Sequence, residues 1–258
     1  ITPNPDIMCN QEVKFKLFLA AALADGADMI ATGHYARIKD GQLLTGHDAN
    51  KDQSYFLYRV TEDALRHSLM PIGDYKKPQV REIAKKLGLN TAEKKDSQGI
   101  CFVGKVGIKE FLQQFVTTEP GNIIDQNSTV IGEHDGALFY TIGQRHGLKT
   151  GGGLPYYVVG KDMDKNEVYV TTNLQDQRLW SGSFEIAAPH WINDEPLSNG
   201  NYAVRTRYRA ECIPITSLKK LDGGTWRIQI KDEVRALTPG QSAVIYEGER
   251  VVGGGIVS

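Results

Sequence analysis

The sequence predicts an α/β segment, then a small central domain, then a C-terminal β-barrel. Three observations carry this reading. The first hundred residues alternate helical periodicity with a buried apolar run. The middle is rich in Gly, Asp and Asn turns. From about residue 174 onward, short β-branched and aromatic runs recur between Gly, Asp and Pro. The expected boundaries are 1–102, 103–173 and 174–258.

In chain order, Asn10–Ala24 reads as a helix. Val13, Leu17, Ala20, Ala21 and Ala24 fall on one face at 3.6 residues per turn, and Gly26 stands where a helix stops. Asp28-Met-Ile-Ala-Thr32 reads as a short buried strand running into Gly33-His34. Such a loop lies at a strand's carboxyl end, where open α/β sheets bind ligands. Tyr35–Ile38 and Gln42–Thr45, joined at Asp40-Gly41, form a hairpin. Pro78–Leu87 is a second helix, with proline in its first turn and Gly88 at its end. Val80, Ile83, Ala84 and Leu87 share one side. A doubly wound sheet needs several buried strands, and only one is visible here. The segment therefore reads as the second half of a larger domain.

The central region carries a short helix near Ile108–Phe115, a junction at Gly151-Gly-Gly153, and a hairpin of Tyr156–Val159 with Glu167–Thr171. In the last region Tyr202–Tyr208, Thr225–Ile230 and Ser242–Tyr246 read as strands of a small barrel or sandwich.

Composition narrows the class. The 258 residues include 40% hydrophobic and 24% charged residues, ordinary for a globular protein. No run approaches the ~20 apolar residues that span a bilayer, and no secretion signal is visible. Three cysteines are too few for a disulfide framework and suggest a reducing, cytoplasmic setting. The net charge is −1, yet residues 76–110 hold nine Lys/Arg against four acids. That excess reads either as a surface for phosphates or as a solvated face.

Thr2-Pro-Asn-Pro-Asp6-Ile-Met-Cys9 holds two prolines that stiffen a loop. Asp6 is placed to cap the next helix. Cys9 then falls in the first turn, where free N–H groups favour thiolate. Asp6, three residues before it, is a candidate proton acceptor. The alternative is a capping aspartate before an inert cysteine. Cys101, in Asp96-Ser-Gln-Gly-Ile-Cys-Phe, follows a polar loop beside Lys94, Lys95 and Lys105, whose charges would lower a thiol pKa. If Cys9 and Cys101 meet, they can form a persulfide or disulfide relay; otherwise they are unrelated. Cys212 reads as structural. Gly99–Val106 approaches a phosphate-binding loop but lacks its final Ser/Thr, and is dismissed. His34 is either a substrate contact or a satisfied structural histidine. Lys51-Asp-Gln-Ser-Tyr55 mixes groups that read RNA, or is a polar helix start. Arg205, Arg207 and Arg209, spaced by two on one expected strand, place three guanidiniums on one face within ~14 Å, for phosphates or for acidic neighbours.

Taken in order, TPNPDIMCN, ATGHYARI, KDQSYFL, DSQGICFVGK, YTIGQRHGL, PYYVVGKD, RTRYR and LTPGQSAVIYEGERVVGGG resemble the tRNA-specific 2-thiouridylase family over residues 2–255. The resemblance implies an adenine-nucleotide α-hydrolase-like domain, a central domain and a C-terminal barrel. It implies ATP-dependent 2-thiolation of the wobble uridine, with Mg²⁺, adenylation of the C2 oxygen and attack by sulfur. Cys101 matches the persulfide carrier, Cys9 the second catalytic cysteine and Asp6 the acid/base. Asn4, Pro5 and Asp6 match the loop at the target base, and Gly33 the nucleotide pocket. His34, Lys51, Asp52, Gln53, Tyr208, Arg209 and Gln241 match tRNA contacts. The implied partners are tRNA and a sulfur-relay donor protein, with the enzyme a monomer. The family's SGGxDS phosphate loop does not occur in these residues, so ATP is expected to be held mainly by a segment outside them, and this fragment is expected to be inactive alone. The alternatives are a non-catalytic tRNA-binding fragment and a thiol redox protein using Cys9 and Cys101.

Overall fold

An asparagine followed by proline starts the first helix. Asn4 has extended backbone (φ −75°, ψ 117°) and its side chain accepts from the N–H groups of Asp6 and Ile7. Pro5 fits the first helical position because it has no N–H to satisfy. The computed structural model describes residues 4–93, 116–148, 150, 153 and 155–258. Cys101 and its loop, Lys94, Lys95 and Lys105, the helix expected at Ile108–Phe115, the phosphate-loop look-alike and Gly151-Gly152 lie outside the described residues.

Helix α1 (Pro5–Met8) continues as a π-helix over Cys9–Phe18 and then as α2 (Leu19–Ala24). The buried face is Ile7, Asn10, Phe15 and Leu19. The sequence face expected from 3.6-residue spacing is not this one: Val13 and Leu17 are 40% and 64% exposed. Bonding from i to i+5 widens the turn, so residues five apart, Asn10 and Phe15, come to share a side. The cap is also corrected. Asn4 makes it, and Asp6 sits inside the first turn.

Strand β1 (Ile30–Ala31) pairs in parallel with β4 (Ser68–Leu69), the one parallel pair of the α/β part among the described residues. Between them lie β2 (Ala36–Lys39), β3 (Gln42–Thr45) and helix α3 (Glu62–Arg66). The β2–β3 hairpin turns at Asp40 (φ 51°) and Gly41 (φ 76°), the two left-handed residues a tight hairpin needs. Helix α4 (Lys77–Lys86) ends before Gly88 (φ 67°). On its expected apolar side Val80 and Ala84 are half-buried, whereas Ile83 and Leu87 stand exposed.

The contacts divide the chain into two units, one of residues 1–101, 183–232 and 239–258, the other of 102–182 and 233–238. The second unit holds β5 (Gly121–Ile124), β6 (Val130–His134), β7 (Tyr157–Asp162) and β8 (Glu167–Thr171) in the order β6-β5-β8-β7. The expected β7–β8 hairpin is present. Its core gathers Ile123, Val158, Val168 and Val170 with Tyr140.

The first unit contains the barrel. Strands β9 (Trp180–Trp191), β10 (Ala203–Arg205), β11 (Ile213–Lys220), β12 (Trp226–Arg235), β13 (Ser242–Glu247) and β14 (Arg250–Val257) run in the order β13-β10-β11-β12-β9-β14, and β13 pairs back with β14 to close the ring. The N-terminal hairpin extends this sheet, with Leu43 opposite Val251 and Leu44 opposite Arg250. One core therefore takes Ile7, Phe15, Leu43, Leu57 and Tyr58 together with Ile192, Val244, Tyr246 and Val251. The strand expected over Tyr202–Tyr208 stops at Arg205, so the three arginines do not share a strand face. Arg209 lies in the left-handed region (φ 63°), which ends β geometry there.

Candidate functional site

Asp6 and Cys9 lie three residues apart on one continuous helix, so their side chains are neighbours on its surface. Both are half-buried. Cys9 is not in the first turn as the sequence suggested: its N–H is already bonded to the carbonyls of Pro5 and Asp6. The free N–H groups at the helix start belong to Asp6 and Ile7, and Asn4 takes both at 3.0 and 3.2 Å. Cys9 thus lies past the open helix end, whose dipole fades within the first turn. The π-helix begins at Cys9 itself, a geometry that recurs at functional sites.

Asn10 fixes this helix in place. It is 3% exposed, and its Nδ2 donates to the carbonyl of Phe56 at 3.1 Å. Phe56 in turn packs against Tyr208, ring centroids 4.4 Å apart, and the Arg209 guanidinium lies 5.0 Å over the Tyr208 ring. A line of contacts thus joins the residue after Cys9 to the barrel's Tyr208-Arg209 turn. Sequence reading missed Asn10; its place next to a candidate cysteine was the available signal.

Gly33 is exposed just past β1, and a Cβ there would meet nothing within 4 Å. Its backbone leaves open space at the carboxyl end of a parallel strand, which fits the approach of a nucleotide. His34 next to it is 7% exposed. Its Nδ1 lies 2.9 Å from Thr32 Oγ1 and its ring 5.7 Å from that of Phe15. Burial, helped by the charge of Lys14, pushes its pKa down to about 4, so the imidazole is neutral at physiological pH. It packs as a buried neutral ring and offers no cation to a phosphate.

The Lys51-Asp52-Gln53 segment divides its labour. Asp52 is 5% exposed and accepts from the N–H groups of Gly46 and Ser54, from Ser54 Oγ, and from Arg205 at 3.0 Å. Gln53 Oε1 accepts from the N–H of Tyr35. These two side chains hold the fold, and Lys51, half-buried, lines an open cleft with Lys77 and Arg81. Arg205 is likewise committed: it bonds Asp52 and its guanidinium lies 4.9 Å over the Tyr246 ring. Of the arginine triplet, Arg207 and Arg209 are the exposed members.

Gln241 is half-buried in the turn before β13, and its Oε1 has no partner among the described residues. The next residue, Ser242, accepts through its carbonyl from the Tyr55 hydroxyl at 2.8 Å, which ties this turn to the Lys51–Tyr55 segment. Partial enclosure of the sulfur raises the pKa of the Cys212 thiol, with nearby Arg205 opposing, although the residue as a whole is exposed. No group of three His, Cys, Asp or Glu able to hold a metal occurs among the described residues, and none of their helices is long and apolar enough to cross a membrane.

Comparison with known proteins covers nearly the whole chain, 99% of it. Residues 1–105 match a tRNA methyl transferase HUP domain, 109–172 a tRNA methyl transferase PRC-barrel domain, and 181–257 an aminomethyltransferase beta-barrel domain. The chain is similar to the tRNA-specific 2-thiouridylase MnmA of Lysinibacillus sphaericus, with 46% identity over 99% of this chain and 70% of that protein. It is similar to the protein of the same name from Shigella flexneri, with 48% identity over 99% of this chain and 72% of that protein.

Proposed function

Because the chain belongs to the tRNA-specific 2-thiouridylase family, we propose that it acts as a tRNA-uridine 2-sulfurtransferase, replacing the C2 oxygen of the wobble uridine with sulfur. The observation that supports this reading best is the Asp6–Cys9 pair on one capped helix, joined through Asn10 and Phe56 to an exposed arginine turn. A reactive thiol, a carboxylate beside it and a cationic RNA-facing turn are the parts that base thiolation needs.

In this reading the target uridine leaves its stack and enters the loop of Asn4, Pro5 and Asp6. The Asn4 cap keeps that loop in one geometry. Asp6 accepts or returns a proton at the reacting base or at the Cys9 sulfur. Cys101 carries the sulfur as a persulfide received from a donor protein; the Cys9 thiolate attacks the inner Cys101 sulfur, closing a disulfide and expelling hydrosulfide, which adds at C2 of the uridine as the activated oxygen leaves, and an external thiol reductant reopens the disulfide. ATP with Mg²⁺, when bound, supplies the activation that makes the C2 oxygen a leaving group, and Gly33 is the described residue that would lie beside the nucleotide. Lys51, Tyr208, Arg209 and Gln241 hold the tRNA from the surface, while His34, Asp52 and Gln53 act from within by keeping their loops in place.

The test replaces Cys9 and, separately, Cys101 with serine in the full-length enzyme, and measures 2-thiouridine in tRNA from cells that depend on it. Thiolation is expected to fall by at least about a hundredfold in each, the scale of losing a covalent or general-base participant. Normal 2-thiouridine in either variant would reject the relay.

A further inference from the structure

The helix that carries Cys9 is held to the core by the buried side chains of Ile7, Phe15 and Leu19. Apolar burial has no required direction, so these three press the helix down without fixing its rotation about its own axis. That rotation decides where the Cys9 sulfur points. Asn10 directly follows Cys9 and is buried on the same face as Phe15. Its Nδ2 donates to the Phe56 carbonyl at 3.1 Å, and a hydrogen bond, unlike an apolar contact, is directional. Its Oδ1 is buried and has no hydrogen-bond partner among the described residues.

We propose that Asn10 is a positioning residue for Cys9, holding the helix in the rotation from which the thiolate reaches the persulfide on Cys101. The inference rests on the thiouridylase reading and adds a residue to it. Its first support is the anchor. The N–H of Phe56 bonds the Gln53 carbonyl at 3.0 Å, and its ring meets that of Tyr55 edge-on, centroids 5.5 Å apart. The Tyr55 hydroxyl in turn donates to the carbonyl of Ser242 on the barrel at 2.8 Å. The carbonyl that Asn10 grips is thus fixed to the barrel, and the grip passes that fixed frame to the helix. The second support is the cost. A half-satisfied amide in a core destabilises the fold relative to an apolar side chain of its shape. Leucine at this position would pack with Phe15 and leave no orphaned acceptor. The amide supplies what leucine lacks, a bond with one direction. The need for it is local. Helical bonding changes from i+4 to i+5 at Cys9 itself, so the turn before it does not set the phase of the turn after it. Misplacing a reacting group by about 1 Å costs on the order of a hundredfold in rate, so a tether one residue from the thiol is well placed to matter.

The test is steady-state thiolation by the full-length enzyme with Asn10→Leu, which keeps the branched shape and removes the donor. kcat is expected to fall at least about tenfold, while KM for tRNA stays within about twofold because the Tyr208-Arg209 turn is untouched. Release of hydrosulfide from enzyme carrying a persulfide on Cys101, measured without tRNA or ATP, should slow at least about tenfold as well. A merely structural residue would lower the folded fraction and leave each folded molecule at the parent rate, so rates are referred to the folded fraction from circular dichroism. If Asn10→Leu does not fold, Asn10→Ala, which cannot overfill the site, carries the same test. A folded variant with the parent's kcat overturns the proposal, as does one in which KM rises and kcat holds. Cys9→Ser, assayed alongside, separates the two levels. If it abolishes thiolation while the Asn10 variant is normal, the positioning role alone is wrong. If Cys9→Ser thiolates normally, the relay itself fails and the positioning role with it.

Discussion

His34 shows at the residue scale how burial settles what a side chain is for. From sequence it was either a substrate contact or a structural histidine, and inside the fold it is a neutral ring between Thr32 and Phe15. Its pKa falls from an ordinary 6.5 to about 4. The sign follows directly. Between those values the unfolded chain takes up a proton that the folded one refuses, so the histidine favours folding above pH 6.5 and that contribution is lost as pH drops toward about 4. The full loss is on the order of 3 kcal/mol. Urea midpoints measured from pH 7.5 down to 4.5 should decline in the parent and decline less in His34→Gln. Equal slopes in the two proteins would mean the imidazole is not held neutral. Cys9 gives the companion lesson. Its residue type and its distance from Asp6 were legible, but its place beyond the first turn depended on which residue capped the helix. Asn4 was a readable cap in the Asn-Pro pair, and Asp6 drew the assignment because it is also a good capping type.

At the scale of elements, β14 explains its own run of glycines. The strand pairs with β13, β9 and β3, and its neighbours approach closely. A Cβ on Gly253 would lie 2.1 Å from the His190 carbonyl, and one on Gly254 would lie 2.2 Å from that of Ala243. Both clashes are with backbone, which cannot swing aside. Gly→Ala in a strand interior ordinarily stabilises through chain entropy. Here Gly254→Ala should instead cost at least about 2 kcal/mol, as overpacking against a fixed wall does. An urea midpoint at or above the parent's would show that the strands can part. The first helix is the element the sequence misjudged. Its 3.6-residue pattern put Val13 and Leu17 inside, and the π-helix turned Phe15 inward in their stead.

For the whole molecule, the main finding is that the N-terminal α/β part and the barrel share one core and one sheet. The Asp52–Arg205 pair is the polar counterpart of that union, spanning 153 positions of sequence with side chains 5% and 18% exposed. Removing one partner strands the other's charge. Arg205→Met should therefore cost about 3–5 kcal/mol, and the double change Arg205→Met/Asp52→Asn should cost less than the sum of the single changes. Additive losses in urea unfolding would mean that the two residues act independently.

The sequence by itself determined what its neighbours along the chain could enforce. Asp40-Gly41 set the first hairpin, Gly88 ended α4, the β7–β8 hairpin formed between its two runs, and the ordered motifs identified the family. Tertiary structure alone decided which helix face is buried, that β10 stops at Arg205, that Asp52 and Arg205 neutralise each other, and that Lys51 meets Lys77 and Arg81 at one cleft. The physical reason is range. Turns and caps are fixed by φ, ψ and hydrogen bonds within a few residues, whereas burial and charge pairing depend on residues brought from far along the chain, whose positions no local pattern encodes.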